Sequence, residues 1–237
     1  TDTIFGTIGG GNLEYLVIDE AKKLIDKNIA NKVMNIPLGP GIGQCCGGYV
    51  QVKLSLHNNS KDALKNEYVV NNIKPNLYIF GSGHIGQALI SKLENINFNT
   101  FIIDSREDYL RMTNIKDVNY LLSKKPWEIV SKLEDNSYFI VLTHSHDYDL
   151  KILNEILKKN NTFVGLIGSL TKKKRFYKRL IDNGHNKSIV DKIECPIGID
   201  IGNSKDPNEI AFSIITRIIS IKNSLKHLSN NKIKEVI

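Results

Sequence analysis

The sequence predicts an α/β protein in which a parallel-sheet domain follows a small α+β domain. Three observations predict it. From residue 77 onward, short apolar runs alternate with amphipathic stretches, the pattern of strands feeding helices. A glycine turn, Gly81-Ser82-Gly83-His84-Ile85-Gly86, follows the first of these runs. Ahead of it, one amphipathic stretch and two strand-like runs flank a glycine-rich decapeptide.

The chain opens at Thr1, directly on a strand-like run and a glycine turn (Thr3-Ile4-Phe5-Gly6-Thr7-Ile8-Gly9-Gly10-Gly11), and reads as a fragment or processed chain whose start is missing. Residues 12–28 follow as an amphipathic helix, with Asn12 as a cap and Leu13, Leu16, Val17, Ala21, Leu24 and Ile25 near one face. Residues 33–38 form a short strand. The decapeptide Gly39-Pro40-Gly41-Ile42-Gly43-Gln44-Cys45-Cys46-Gly47-Gly48 holds five glycines and a proline, so it is a loop or a set of tight turns. Residues 49–57 alternate, with Val50, Val52, Leu54 and Leu56 on one face, as a half-buried strand does. The polar stretch 58–73 is read as a linker. The 1–57 piece is short for an independent core, so it packs on the second domain, on a partner copy or on its missing start.

In the second domain, 74–225, strands are expected near 77–80, 99–103, 118–122, 138–143 and 163–167. Helices are expected near 84–95, 126–133, 148–159, 170–183 and 208–222, the last introduced by Asp206 and Pro207. Residues 226–237 read as a frayed polar tail.

The glycine turn gives this domain its type. Gly81, Gly83 and Gly86 stand between an apolar strand and a helix. There, glycines permit a tight turn, close approach of a pyrophosphate and close helix–strand packing. The helix N-terminus, beginning at His84, presents free N–H groups to the anion. The expected fold is therefore a Rossmann-type parallel-sheet domain preceded by a small α+β domain. The second strand ends at Asp104, 18 residues after Gly86, where an acid accepts ribose hydroxyls and repels a 2′-phosphate. NAD or another nucleotide without that phosphate is the expected ligand, unless the turn has lost its ligand altogether.

With the usual strand order, the first and fourth strands flank the crevice, which brings His144 and His146 close to the turn. With Asp147 and Asp149 they could bind a metal or shuttle a proton; alternatively they serve as caps. Ser169 ends a small-residue turn after the fifth strand and adds donors to the same crevice. Lys172, Lys173, Lys174 and Arg175 form either an anion-facing rim or a solvated helix face. The loop 198–202 is another candidate wall.

Composition excludes some classes. Hydrophobic residues make up 41% of the 237, ordinary for a globular protein. No apolar run reaches bilayer length and no stretch resembles a signal peptide, so the expected compartment is the cytoplasm, with no membrane partner. The net charge is +7. The lysines are scattered rather than interleaved with aromatics, which favours anionic small molecules over nucleic acid.

Cys45, Cys46 and Cys195 are the three cysteines, an odd number that is no disulfide framework. Adjacent Cys45 and Cys46 lack the spacing of zinc ligands. In a glycine loop whose N–H groups can lower a thiol pKa, they read as soft ligands or nucleophiles, or as incidental members of a tight turn. Cys195, before Pro196, reads as a small buried hydrophobe.

The blocks Gly6-Thr7-Ile8-Gly9-Gly10-Gly11-Asn12-Leu13-Glu14, Gln44-Cys45-Cys46-Gly47-Gly48, Ile79-Phe80-Gly81-Ser82-Gly83-His84-Ile85-Gly86, Asp104-Ser105-Arg106, Thr143-His144-Ser145-His146, Gly165-Leu166-Ile167-Gly168-Ser169 and Pro207-Asn208-Glu209-Ile210-Ala211 resemble, in order, those of the xanthine dehydrogenase accessory proteins, the XdhC/CoxI family. Family members usually carry some tens of residues more before the first block. The resemblance implies a molybdenum cofactor chaperone rather than an enzyme. Such a protein protects the molybdopterin cofactor while a cysteine desulfurase supplies its sulfur, and helps insert it into a xanthine dehydrogenase-like molybdenum hydroxylase. It implies that Gln44, Cys45, Cys46 and Gly47 handle the cofactor, with the two thiols as contacts to molybdenum, and that the Rossmann crevice takes the pyranopterin phosphate or a nucleotide. An NAD-linked oxidoreductase and a nucleotide-sensing module are the competing classes. A homodimer would give the first domain a packing surface.

Overall fold

The computed structural model describes residues 4, 6–39, 48–63 and 74–234, and the chain divides into two compact units, Thr1–Ile73 and Lys74–Ile237.

In the first unit, helix α1 (Gly11–Asp26) buries Leu13, Val17 and Leu24, spaced to share one helical face. It starts one residue ahead of the expected cap Asn12 and ends before Asn28, whose positive φ of 51° stops it. The Glu14 carboxylate ties the preceding turn to the helix, accepting from the Thr7 hydroxyl at 2.6 Å and the Ile8 N–H at 3.0 Å. Strands β1 (Asn31–Pro37) and β2 (Tyr49–Ser55) pair antiparallel with Met34 opposite Val52. The alternation read in the sequence holds in β2: Val50, Val52 and Leu54 pack with Met34 and Leu38 against Leu13, Val17 and Ile36. A short helix, α2 (Ser60–Ala63), lies in the stretch read as a linker.

The second unit is built on a five-stranded parallel sheet: β3 (Asn76–Phe80), β4 (Asn99–Asp104), β5 (Val118–Leu122), β6 (Ser137–Val141) and β7 (Asn161–Leu166), in the order β5-β4-β3-β6-β7. The order reverses between β3 and β6, the first and fourth strands of the unit. Their register pairs Ile79 with Ile140 and Phe80 with Val141. Every residue of β6 is buried, which explains an unbroken apolar run in place of alternation. One face carries α3 (His84–Leu93) and α8 (Pro207–Lys234), packed through Leu89, Ile90, Ile214 and Ile218. The other carries α5 (His146–Ile156) and α6 (Leu170–Asp182), packed through Ile152, Leu153, Phe176 and Leu180.

Three expectations change. Residues 126–133 form turns and a single 3-10 turn (Val130–Lys132), not a helix. The short helices α4 (Glu107–Arg111) and α7 (Lys187–Val190) were not expected. Helix α8 continues to Lys234, through most of the stretch read as a frayed tail. Its start follows the expectation: the Asp206 carboxylate accepts the N–H groups of Asn208 and Glu209 at 2.7 and 3.2 Å. No described helix is long and apolar enough to cross a membrane.

Candidate functional site

The three glycines of the turn do different work. Gly81 leaves β3 with φ +116°, and a Cβ there would lie 2.4 Å from the Leu142 carbonyl oxygen. A Cβ on Gly86 would lie 2.2 Å from the Gly81 oxygen, so this glycine lets α3 press onto the turn. Gly83 has an ordinary φ of −74° and nothing within 4 Å of its Cβ position. It heads α3, and no side chain caps the helix there. By contrast, Ser145 caps α5 and Ser169 caps α6 with their hydroxyl oxygens. Two glycines therefore serve the backbone, while the third leaves the helix N-terminus open to an approaching group.

A buried polar mesh holds the turn to the end of β4. The Ser82 hydroxyl donates to the Tyr109 carbonyl at 2.9 Å. The Gln87 amide nitrogen reaches the Ser82 hydroxyl and the Tyr109 carbonyl, each at 2.7 Å, and its amide oxygen accepts from the Thr113 hydroxyl. The Ser82 N–H donates to Asp104 Oδ2 at 2.7 Å.

Asp104 departs from its expected role. Its carboxylate, 2% exposed, also accepts the Arg106 N–H at 2.9 Å, Arg106 Nε at 3.0 Å and Arg106 Nη2 at 2.8 Å. Four donors on two oxygens fill a carboxylate's acceptor positions. Burial pushes this carboxyl up, but the Arg106 fork and the N–H groups of Ser82 and Arg106 outweigh it and hold it below the usual range. A ribose hydroxyl finds no vacant oxygen here while Arg106 stays in place.

Asp104 borders a narrow crevice, lined with it by Gly81, Ser105, Pro126, His144 and Tyr148, that is closed even to a water-sized sphere. Pockets for drug-sized ligands hold ~300–1,000 Å³, so a ligand of that size must open this crevice or lie across it. The loop 198–202 lines a different and wider groove at the end of β7, with Ile167, Leu170, Pro196 and Ile197.

The sequence-predicted cluster at the end of β6 separates. His144 is exposed on the crevice, its ring edge-on to Tyr148 at 5.4 Å. His146 opens α5, where its Nδ1 accepts from Arg175 Nη2 at 2.7 Å. Asp147 pairs with Lys151 on the outer face of α5. Asp149 is fully buried; it accepts from the Thr143 N–H and hydroxyl at 3.0 and 2.7 Å and from Lys172 Nζ at 2.7 Å. The four side chains therefore do not converge, and among the described residues no group of three or more His, Cys, Asp or Glu could hold a metal ion.

The XdhC Rossmann domain family matches residues 77–218, which span the whole sheet and the start of α8. The chain belongs to the XdhC family. It is 24% identical over 226 residues to an uncharacterized protein, YqeB, of Escherichia coli, covering 94% of this chain and 39% of that protein. It is 27% identical over 151 residues to a Bacillus subtilis protein named as a probable subunit of xanthine dehydrogenase, covering 63% of this chain and 43% of that one. The chain thus spans about two fifths of the length of these curated relatives. A crystal structure from Bacillus halodurans, described as a xanthine dehydrogenase, superposes with a TM-score of 0.72 at 20% identity, over 94% of this chain and 84% of that one. At that identity the likeness speaks for the fold.

In this XdhC domain, Gly81, Gly83, His84, Gly86, Asp104 and His144 gather at the turn and crevice. His146 stands beside Arg175 on α6, and Ser169 is engaged as the α6 cap. Gln44, Cys45, Cys46 and Gly47 lie outside the described residues. Sequence reasoning missed Pro126 and Tyr148 as crevice walls, and it missed Lys172. That lysine belongs by sequence to a solvated or anion-facing run, yet it is buried against Asp149.

Proposed function

We propose that this XdhC chain is a molybdenum cofactor chaperone serving a xanthine dehydrogenase-like molybdenum hydroxylase. The observation that carries the reading is Gly83, which faces open space at the uncapped N-terminus of α3, beside the reversal in strand order. Free N–H groups and the positive end of the helix dipole there suit a phosphate, and the pyranopterin ends in one. Independently of that anchor, the resemblance of their loop implies that Cys45 and Cys46 serve as soft sulfur contacts to molybdenum. When bound, the cofactor carries the metal's oxo- and sulfur-transfer chemistry. The chain's own part is to anchor the phosphate, shield the metal end and release the whole to the recipient. Sulfuration by a cysteine desulfurase, a cytoplasmic setting and a homodimer belong to the same proposal. The name of the Bacillus subtilis relative supports the choice of partner.

An NAD-linked oxidoreductase is the weaker reading, because Asp104 is already filled by Arg106 and Ser82.

The test is what the chain retains. Purified from a molybdopterin-producing background, it should carry molybdopterin, measured as the fluorescent oxidation product. Cys45→Ala/Cys46→Ala should lose it with an unchanged melting curve. Full retention by the double variant would sink the thiol assignment, and absence of molybdopterin from the unaltered chain would sink the chaperone reading.

A further inference from the structure

We infer that the crevice binds a nucleotide carrying a phosphate monoester on its ribose, read by Arg106 and Lys124, rather than a nucleotide with a free ribose diol. The inference rests on the glycine turn as a phosphate anchor and adds a ligand class to it.

An acid at the end of β4 selects a free diol only while its oxygens can accept from it. At Asp104 all four acceptor positions are filled, two of them by the Arg106 side chain. The same fork converts the selector. Arg106 uses Nε and one Nη hydrogen on Asp104, leaving three of a guanidinium's five N–H donors not engaged by that carboxylate. Its Cζ lies 3.8 Å from the Tyr109 ring centroid, and with the two bonds to Asp104 this contact holds the group in place, while its side chain stays 28% exposed. A planar, oriented fork suits phosphate oxygens.

A second cation stands close by. Lys124 is exposed, and its Nζ donates to the Ser105 carbonyl at 3.2 Å. Ser105 lines the crevice and separates Asp104 from Arg106 in the chain. Lys124 thus adds a second cation beside the Asp104–Arg106 pair. A ribose phosphate held there would leave the rest of the nucleotide lying across the closed crevice, toward Gly83 at the head of α3.

Calorimetric titration of the chain with 2′-phospho-ADP-ribose and with ADP-ribose tests this. The phosphorylated probe should bind at least about tenfold tighter, as one added charge-assisted contact implies. Arg106→Ala should reverse the preference, weakening the phosphorylated probe while freeing Asp104 to accept the diol and so strengthening ADP-ribose. Lys124→Ala, at an exposed position with no part in the fold's core, should weaken only the phosphorylated probe. Parallel loss of both probes in these variants would assign the two cations a structural role and overturn the inference. Equal or tighter binding of ADP-ribose by the unaltered chain would overturn it while leaving the phosphate anchor standing. If neither probe binds although molybdopterin is retained, the inference fails and the chaperone reading survives; if molybdopterin is absent as well, both fail.

Discussion

Lys172 Nζ lies 2.7 Å from Asp149 Oδ2, with both side chains shut off from solvent. The ammonium also donates to the Ile167 carbonyl at 2.8 Å, so a single side chain on α6 joins α5 to the end of β7. Removing one partner of a buried pair strands the other charge. Lys172→Met should therefore destabilise the domain by about 3–5 kcal/mol. Adding Asp149→Asn removes the stranded charge yet keeps an oxygen for Thr143, and should recover much of the loss. Urea unfolding at pH 7 measures both. If the single variant stays within about 0.5 kcal/mol of the parent, the pair is not what pins these helices.

The glycines of the turn should separate stability from binding. Gly81→Ala forces a side chain into left-handed backbone and against the Leu142 carbonyl, at a cost of about 1–3 kcal/mol in strain alone. Gly86→Ala collides with the Gly81 carbonyl and should cost about 1–3 kcal/mol as overpacking does. Gly83→Ala fits its backbone and meets no atom, so its stability should change by no more than about 1 kcal/mol. That methyl nevertheless stands where a phosphate would approach. Thermal melts paired with molybdopterin retention should show Gly83→Ala stable but poor in retention. An alanine variant that retains the cofactor fully would remove the head of α3 from phosphate binding.

Asp104 gives the domain an acid-sensitive latch. Its folded pKa lies below the ordinary value, since Arg106 and the two N–H groups outweigh burial. An unfolded Asp titrates near ~3.9. Between the depressed folded value and that unfolded one, the unfolded chain binds more protons, so stability rises with pH across this window. The contribution is fully present above the unfolded pKa and is lost as pH falls through the folded one. Melting temperatures from pH 7 down to pH 3 should fall in that acid range. Asp104→Asn should melt lower at pH 7 and show a flatter acid limb. A variant limb as steep as the parent's would assign the acid sensitivity to other carboxylates.

The sheet is legible in the sequence because each strand of the second unit is a short apolar run between polar turns. The strand order, with β3 beside β6, follows from the glycine turn and the expected topology. Residues 126–133 mislead because an apolar triplet, Trp127, Ile129 and Val130, imitates one turn of helix behind Pro126; the residues form turns instead. Lys172 is disguised by its neighbours in sequence. Its spacing holds the better signal, for Lys172, Phe176 and Leu180 stand four apart on one buried face of α6. Asp149 carries the matching signal, sitting beside Leu150 and four residues before Leu153 within the apolar stripe of α5. The sequence shows Arg106 near Asp104, which already weakens a diol-reading role for the acid, but not the fork itself. Residues two apart at a strand end can point together or apart, and only the turn geometry decides.

Cys195 should behave unlike the cysteine pair. Its side chain is 3% exposed, with Sγ 3.9 Å from the carbonyls of Gly168 and Ser169. Burial pushes its pKa up, and the pull of Lys172 and Lys173 in the other direction does not offset it. The thiolate is the reactive form, so a buried and protonated thiol reacts slowly. In Cys45→Ala/Cys46→Ala, a disulfide reagent at pH 8 should therefore find no fast thiol until denaturant is added. Cys195→Ser, tested alone, should leave molybdopterin retention unchanged. A fast thiol in the double variant, or a loss of retention in Cys195→Ser, would make Cys195 a participant in cofactor handling and would break the division of labour between a structural thiol and a functional pair.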